Sequence, residues 1–352
     1  MDSAVGVRIL RAALRQRRIG GGVRHRRQQS PEDRRGVDEE DRAAPGTQGG
    51  GQRVRARRDA EDRCDPFGTD VKIEQSNAPL GAQITGIDVA QPLDDATFRR
   101  IEDLFHERGV IVFRDQHLTD EQQIAFSRRF GDLEIHPAKL YLKPGHTEIL
   151  VVSNVIEDGR EIGLQDAGQY WHTDLSYVAA PSRCSLLYAL EVPVKDGAPL
   201  GDTLFVSTTY AYDTLPRELR ERIEGRTAVH GYAQRYRMQQ AKGTRAAMSD
   251  EELKKVPEVA HRVDRSHPWT GRKTLFVNEG FTTSIEGLPK EESDALLRTL
   301  FDHITRPEAV YRHQWRMGDL LMWDNGSTQH RAVADYALPL RRRMQRTTVR
   351  GR

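Results

Sequence analysis

The sequence predicts a mainly β fold with flanking helices, an α+β class with a β-rich core. Three observations carry this. Short apolar runs bounded by turn residues recur through the chain, only four segments show helical periodicity, and these do not alternate with strands in the β-α-β order of a parallel sheet. No internal repeat is visible.

The elements follow in order. From about Val71, "KIEQSNAPLGAQITGIDV" reads as strands and turns. "DDATFRRIEDLFHERG" then puts Phe98, Ile101, Leu104 and Phe105 on one helical face and stops at Gly109. "VIVF" at 110–113 reads as a buried strand. In "TDEQQIAFSRRFG", Thr119 and Gln122 have capping-box spacing ahead of Ile124, Phe126 and Phe130, and Gly131 ends the segment. Strands are expected at 185–192, 203–207, 274–277, 319–323 and 346–350. Helices are expected around 215–224 and 289–304, the second with Leu296, Leu297, Leu300, Phe301 and Ile304 as its apolar stripe. The polar, Lys/Arg-rich stretch 233–262 reads as an insertion or lid.

Composition separates residues 1–68 from a folded domain over 69–352. The first 68 residues hold 16 Arg, no Lys and 11 acidic residues with almost no aromatics, too little apolar surface to offset ordering entropy. They read as a disordered extension or as translated DNA upstream of the true start. A targeting peptide, suggested by "VRILRAALRQRR", and a nucleic-acid-binding arm are the other two readings. Outside this segment 38 basic and 41 acidic residues leave about −3, so the chain's net +2 belongs to the tail. No dense basic stripe interleaved with aromatics marks a nucleic-acid groove. No apolar run approaches the length of a membrane span, and Cys64 and Cys184 are too few for a disulfide framework, so a reducing cytoplasm is expected. Cys184 reads as a small core residue.

"GQYWHTDLSY" (168–177) poses the functional question. In an extended strand His172 and Asp174 would project to one side and Thr173 to the other. A His-x-Asp or His-x-Glu triplet arises about once by chance among histidines this numerous. His146 and Glu148 in "KPGHTEIL" form such a decoy, expected in a loop. There is no CxxC pair, and His106 and Glu107 lack the second His of an HExxH helix, so zinc-type readings have little support. His330 follows the 319–323 strand, and Arg341, Arg342, Arg343 and Arg346 follow His330. Two His and one carboxylate on one face of Fe(II) leave three positions open, two for a 2-oxo acid and one for O2, while the far carboxylate of that acid suits an arginine.

"WHTD", "GDTLF" (201–205), "LFVNEGFTT" (275–283), "WDN" (323–325) and His330 with its Arg-rich strand, in this order, resemble the TauD/TfdA family of Fe(II)- and 2-oxoglutarate-dependent dioxygenases. The resemblance runs from about Val71 to Arg350. It implies a double-stranded β-helix (jelly roll) core, His172, Asp174 and His330 as iron ligands, and Thr203 as a hydrogen-bond partner of 2-oxoglutarate. The cosubstrate arginine falls at Arg342 or, because Ala337 looks like an inserted residue, at Arg341. Arg346 corresponds to an arginine that binds the substrate anion, His136 to a histidine beside it, and Phe281 to a pocket wall.

The resemblance further implies oxidative decarboxylation of 2-oxoglutarate to succinate and CO2, coupled to hydroxylation of a small anionic substrate by O2. Asp174, where halogenating relatives have a small residue, favours hydroxylation. Gly168 replaces an Asn that contacts substrate in taurine-oxidising members, and Lys139 stands where they have Tyr. Taurine and other sulfonates, alkyl sulfates and aryloxyalkanoates all remain compatible. The alternatives are the same chemistry on a cationic or amino-acid-like substrate, and a β-barrel binding protein without redox chemistry. By family analogy a homo-oligomer is expected. Trp171 and Asn325 read as packing and turn residues, and His230, His267 and His313 carry no functional expectation.

Overall fold

The computed structural model describes residues 71–136, 138–165, 168–233, 236 and 257–352. The extension expected over 1–68 and most of the insertion expected over 233–262 lie outside the described residues. The chain divides into two units at Glu61 and Asp62, and every described residue belongs to the second.

That unit opens with the antiparallel pair β1 (Lys72–Gln75) and β2 (Ala82–Thr85). Helix α1 (Asp95–Arg108) starts where the Asp94 carboxylate accepts from the N–H groups of Ala96 and Thr97, and stops at Gly109, whose φ of 67° favours glycine. Strand β3 (Val110–Phe113) is buried throughout because alternate residues serve opposite faces: Ile111 and Phe113 pack with α1, Val110 and Val112 with Phe205 and Trp315. Helix α2 (Asp120–Arg128) carries the expected capping box between Thr119 and Gln122, but ends at Arg128 rather than continuing to Gly131.

The remaining strands are β4 (Leu142–Lys143), β5 (His146–Ser153), β6 (Ile156–Glu157), β7 (Arg160–Glu161), β8 (Cys184–Glu191), β9 (Val194–Lys195), β10 (Ala198–Pro199), β11 (Thr203–Ser207), β12 (Thr227–His230), β13 (Val259–Arg262), β14 (Thr282–Ile285), β15 (Tyr311–His313), β16 (Leu320–Asp324), β17 (Thr328–Ala332) and β18 (Arg343–Val349). Helices α3 (Thr208–Asp213), α4 (Arg217–Ile223) and α5 (Lys290–Ile304) complete the described elements. An eight-stranded sheet runs β1-β2-β3-β16-β8-β18-β5-β4, and two three-stranded sheets run β15-β11-β17 and β13-β12-β14. Helices α1 and α2 cover one face of the large sheet. Its other face shares a core with Phe205 of β11, so the β15-β11-β17 sheet packs there. The architecture is mainly β with a few helices, as expected.

Several expectations are corrected. Thr274–Val277 is not a strand: its N–H groups bond singly to Arg265, Thr208 and Val263, although Leu275, Phe276 and Val277 are buried. An apolar run reports burial, and here the antiparallel neighbour at 263–267 makes only the isolated bridge Ser266–Lys273, not a regular ladder. His146 and Glu148 lie in β5, not in a loop, and face separate partners: His146 contacts Asp120 and Glu121, while Glu148 pairs with Arg128. The stretch 233–262 ends in strand β13, paired with β12.

Candidate metal and cosubstrate site

His172 and His330 are brought together by one antiparallel bridge, with N···O distances of 3.1 and 2.9 Å in the two directions. The segment around His172 is therefore a single bridge to β17, not the regular strand that would carry both ligands. Asp174 lies in the turn that follows, where Leu175 has a φ of 53°. Ligand atoms of His172, Asp174 and His330 all lie within 4.8 Å of one another, and all three residues are buried. They form the one such group of three metal-capable side chains among the described residues.

The protonation states suit a cation. His172 Nδ1 donates to the Tyr170 carbonyl at 2.9 Å, which turns Nε2 toward Asp174 Oδ1 at 3.6 Å. Burial pushes His330 well below the usual histidine range, helped by His172, and the ring is neutral. Burial alone would raise the Asp174 carboxyl, but Arg346, at 3.1 Å, and the two imidazoles outweigh it and hold the group well below the usual carboxylate range. His330 Nδ1 is buried with no hydrogen-bond partner. Two imidazoles and one ionised carboxylate, with an orphaned ring nitrogen among them, fit the facial donor set of non-haem Fe(II).

Gly168, the position of a departure noted above, explains itself here. Its φ is +74°, and a Cβ would approach His172 Cε1 to 2.6 Å. Asn at this position would strain the backbone and crowd a ligand.

The structure separates the two rival arginines. Arg342 is buried, burial lowers its pKa against the help of the Tyr336 hydroxyl, and Nε has no partner. Among the described residues no carboxylate pairs with it. Its guanidinium lies 5.7 Å from the Trp315 ring centroid, and Trp315 Nε1 donates to Thr203 Oγ1 at 3.0 Å. Arg341 is instead half-exposed and gripped by Glu191 at 2.7 and 3.1 Å. It is held by the surface carboxylates of Glu191 and Glu157, not beside Trp315.

On the other side of the triad, Phe281 is buried 6.0 Å from the His172 ring, 5.9 Å from Tyr170 and 4.7 Å from Tyr177, centroid to centroid. Tyr232 stacks on Phe281 at 6.4 Å. Arg346 reaches this side through Asp174. His136 is half-buried, and its Nδ1 accepts from the Ala138 N–H at 3.1 Å. The segment before it is tied to β18 by the Leu133–Val349 bridge and by Glu134 N–H donating to Thr348 O at 2.7 Å.

Sequence reasoning missed Trp315, Tyr170 and Tyr177. A period-two signal existed for two of them: Trp315 continues the Tyr311, His313 alternation, and Tyr170 precedes His172 by two. Ser185, which donates to Asp174 Oδ2 at 2.7 Å, has no such signal.

Known proteins resemble this chain in sequence and fold. A sequence profile described as "Taurine catabolism dioxygenase TauD, TfdA family" matches residues 72–348. The alpha-ketoglutarate-dependent 2,4-dichlorophenoxyacetate dioxygenase of Cupriavidus pinatubonensis is 38% identical over 280 residues, covering 77% of this chain and 94% of its own. A putative alpha-ketoglutarate-dependent taurine dioxygenase from Burkholderia xenovorans superposes with a TM-score of 0.67 at 30% identity, covering 80% of this chain and 93% of its own. AAD-2, solved in complex with Mn(II) and N-oxalylglycine, superposes with a TM-score of 0.66 at 32% identity, covering 80% and 98%. The chain belongs to the TauD/TfdA family of Fe(II)- and 2-oxoglutarate-dependent dioxygenases.

Proposed function

We propose that residues 69–352 form a double-stranded β-helix that hydroxylates a small organic anion carrying an aromatic ring, with aryloxyalkanoates as the favoured class. His172 Nε2, Asp174 Oδ1 and a His330 ring nitrogen would hold Fe(II), which when bound supplies the Lewis acidity and redox chemistry for coupling O2 and 2-oxoglutarate to C–H hydroxylation.

The chain's own groups do the positioning. Arg342 supplies a buried, permanently charged fork with no carboxylate partner among the described residues, so the far carboxylate of 2-oxoglutarate would satisfy it. Thr203 accepts from Trp315, a group that can only donate, so its own O–H is free to donate to the same carboxylate. Arg346 offers positive charge on the substrate side, and Phe281, Tyr170, Tyr177 and Tyr232 offer ring faces and edges. The single observation favouring an aromatic substrate is this cluster beside His172, with the Arg346 guanidinium nearby on Asp174. The 2,4-dichlorophenoxyacetate dioxygenase relative supports the same reading.

The test is succinate release with a phenoxyacetate, an alkyl sulfate and taurine at varied concentration. Saturation by the phenoxyacetate at the lowest KM, lost in Arg346→Ala, is expected. A lower KM for taurine would replace the aromatic reading with the sulfonate one. Turnover of a cationic substrate that survives Arg346→Ala would overturn the anionic class.

A further inference from the structure

The "WDN" motif leaves Asn325 unexplained. It is 1% exposed at the end of β16, and its backbone N–H donates to Arg183 O at 2.9 Å. Its side-chain Nδ2 donates to two hydroxyls at once, Ser182 Oγ at 3.0 Å and Ser185 Oγ at 3.2 Å. Each hydroxyl then donates onward to the same residue: Ser185 Oγ to Asp174 Oδ2 at 2.7 Å, and Ser182 Oγ to the Asp174 carbonyl at 3.2 Å. The direction is forced. An ionised carboxylate and a carbonyl only accept, so each serine spends its one proton on Asp174 and must accept from the amide.

We infer that Asn325, acting through Ser185 and Ser182, is a positioning residue that ties up Asp174 Oδ2 and presents only Oδ1 to the metal. A carboxylate ligand free at both oxygens can chelate through both. That would take one of the three positions that a 2-oxo acid and O2 need. The Ser185 hydroxyl holds Oδ2 at 2.7 Å, while Oδ1, which also accepts from Arg346 Nη1 at 3.1 Å, lies on the side of His172 Nε2 at 3.6 Å, and the second serine holds the backbone. This rests on the metal-ligand assignment proposed above.

The probe is Mn(II) added to the full chain, followed by the relaxation of water protons and then by titration with 2-oxoglutarate. Ser185→Ala removes one oxygen and little volume, so it keeps the test open if Asn325→Leu fails to fold. In Ser185→Ala, Mn(II) affinity is expected to stay within a few-fold of wild type. Relaxivity should fall by about a third as one of three exchangeable positions is lost, and 2-oxoglutarate affinity by about 10- to 100-fold. Ser185→Thr, which retains the hydroxyl, should restore both. Unchanged relaxivity and cosubstrate affinity in Ser185→Ala would overturn the clamp. So would parallel loss of Mn(II) and cosubstrate, the signature of a merely structural role. Wild-type protein that takes up no Mn(II) would contradict the ligand assignment itself, a failure visible before any variant is made.

Discussion

Arg342, one residue before β18, and Arg346, within it, are both buried, yet their electrostatic situations are opposite. Arg346 is balanced: Asp174 Oδ1 lies 3.1 Å from its Nη1. Arg342 faces an indole and a phenol, its Nε lacks a partner, and among the described residues no carboxylate answers it. A protein keeps a buried guanidinium without a counter-ion only where a ligand supplies one, because the desolvation penalty is several kcal/mol. On the proposed function the unbalanced arginine would meet the cosubstrate, and the balanced one, paired with Asp174, would serve the substrate side.

The largest expected effect comes from removing the unbalanced charge. Arg342→Met should weaken 2-oxoglutarate binding by about 30-fold or more, the loss typical of truncating one partner of a buried charge pair. An anaerobic equilibrium titration measures it, and unchanged affinity would break the contrast. Arg342→Lys should recover only part of this, since a point charge does not reproduce the planar fork.

Thermal unfolding of the metal-free protein sharpens the contrast through sign. Arg346→Met strands the Asp174 carboxylate and should destabilise by about 3–5 kcal/mol, a fall on the order of 6–20 °C in Tm. Arg342→Met removes an uncompensated charge and should raise Tm. Shifts of the same sign in both variants would contradict the account.

Acid sensitivity follows from His330. Burial holds its folded-state pKa well below the ordinary histidine value of about 6.5, so between those two values the unfolded chain binds the proton and the folded chain does not. Metal-free stability should therefore fall as pH drops below about 6.5, by up to roughly 1.4 kcal/mol per unit. His330→Gln should flatten that slope in pH-dependent denaturant melts. Trp315→Phe, which deletes the donor to Thr203, should weaken 2-oxoglutarate by about 2- to 10-fold. Arg341→Ala should leave cosubstrate affinity unchanged, since its guanidinium is committed to Glu191.

Much of this was legible beforehand, for identifiable reasons. Helices α1 and α2 announce themselves through Asp94, Gly109 and the Thr119–Gln122 box, because caps are local chemistry. The triad follows from motifs in order, and it is closed by a long-range bridge between His172 and His330. The choice between Arg341 and Arg342 was not legible, because in a strand a shift of one residue turns a side chain to the opposite face. One uncertain insertion near Ala337 was enough to leave both open. Thr274–Val277 misled because a buried run with one isolated antiparallel bridge beside it has the same composition as burial within a sheet. The Asn325, Ser182 and Ser185 contacts join positions up to 143 residues apart, and no periodicity links them.

The most direct test of the central claim is an anaerobic titration of the full chain with Fe(II) and 2-oxoglutarate, read by the weak visible charge-transfer band of the chelated cosubstrate. The account predicts a band in the wild type, none in His172→Ala, and in Arg342→Met a band that needs about 30-fold more 2-oxoglutarate to saturate. A well-folded wild type without a band, or an Arg342→Met titration identical to wild type, would contradict it.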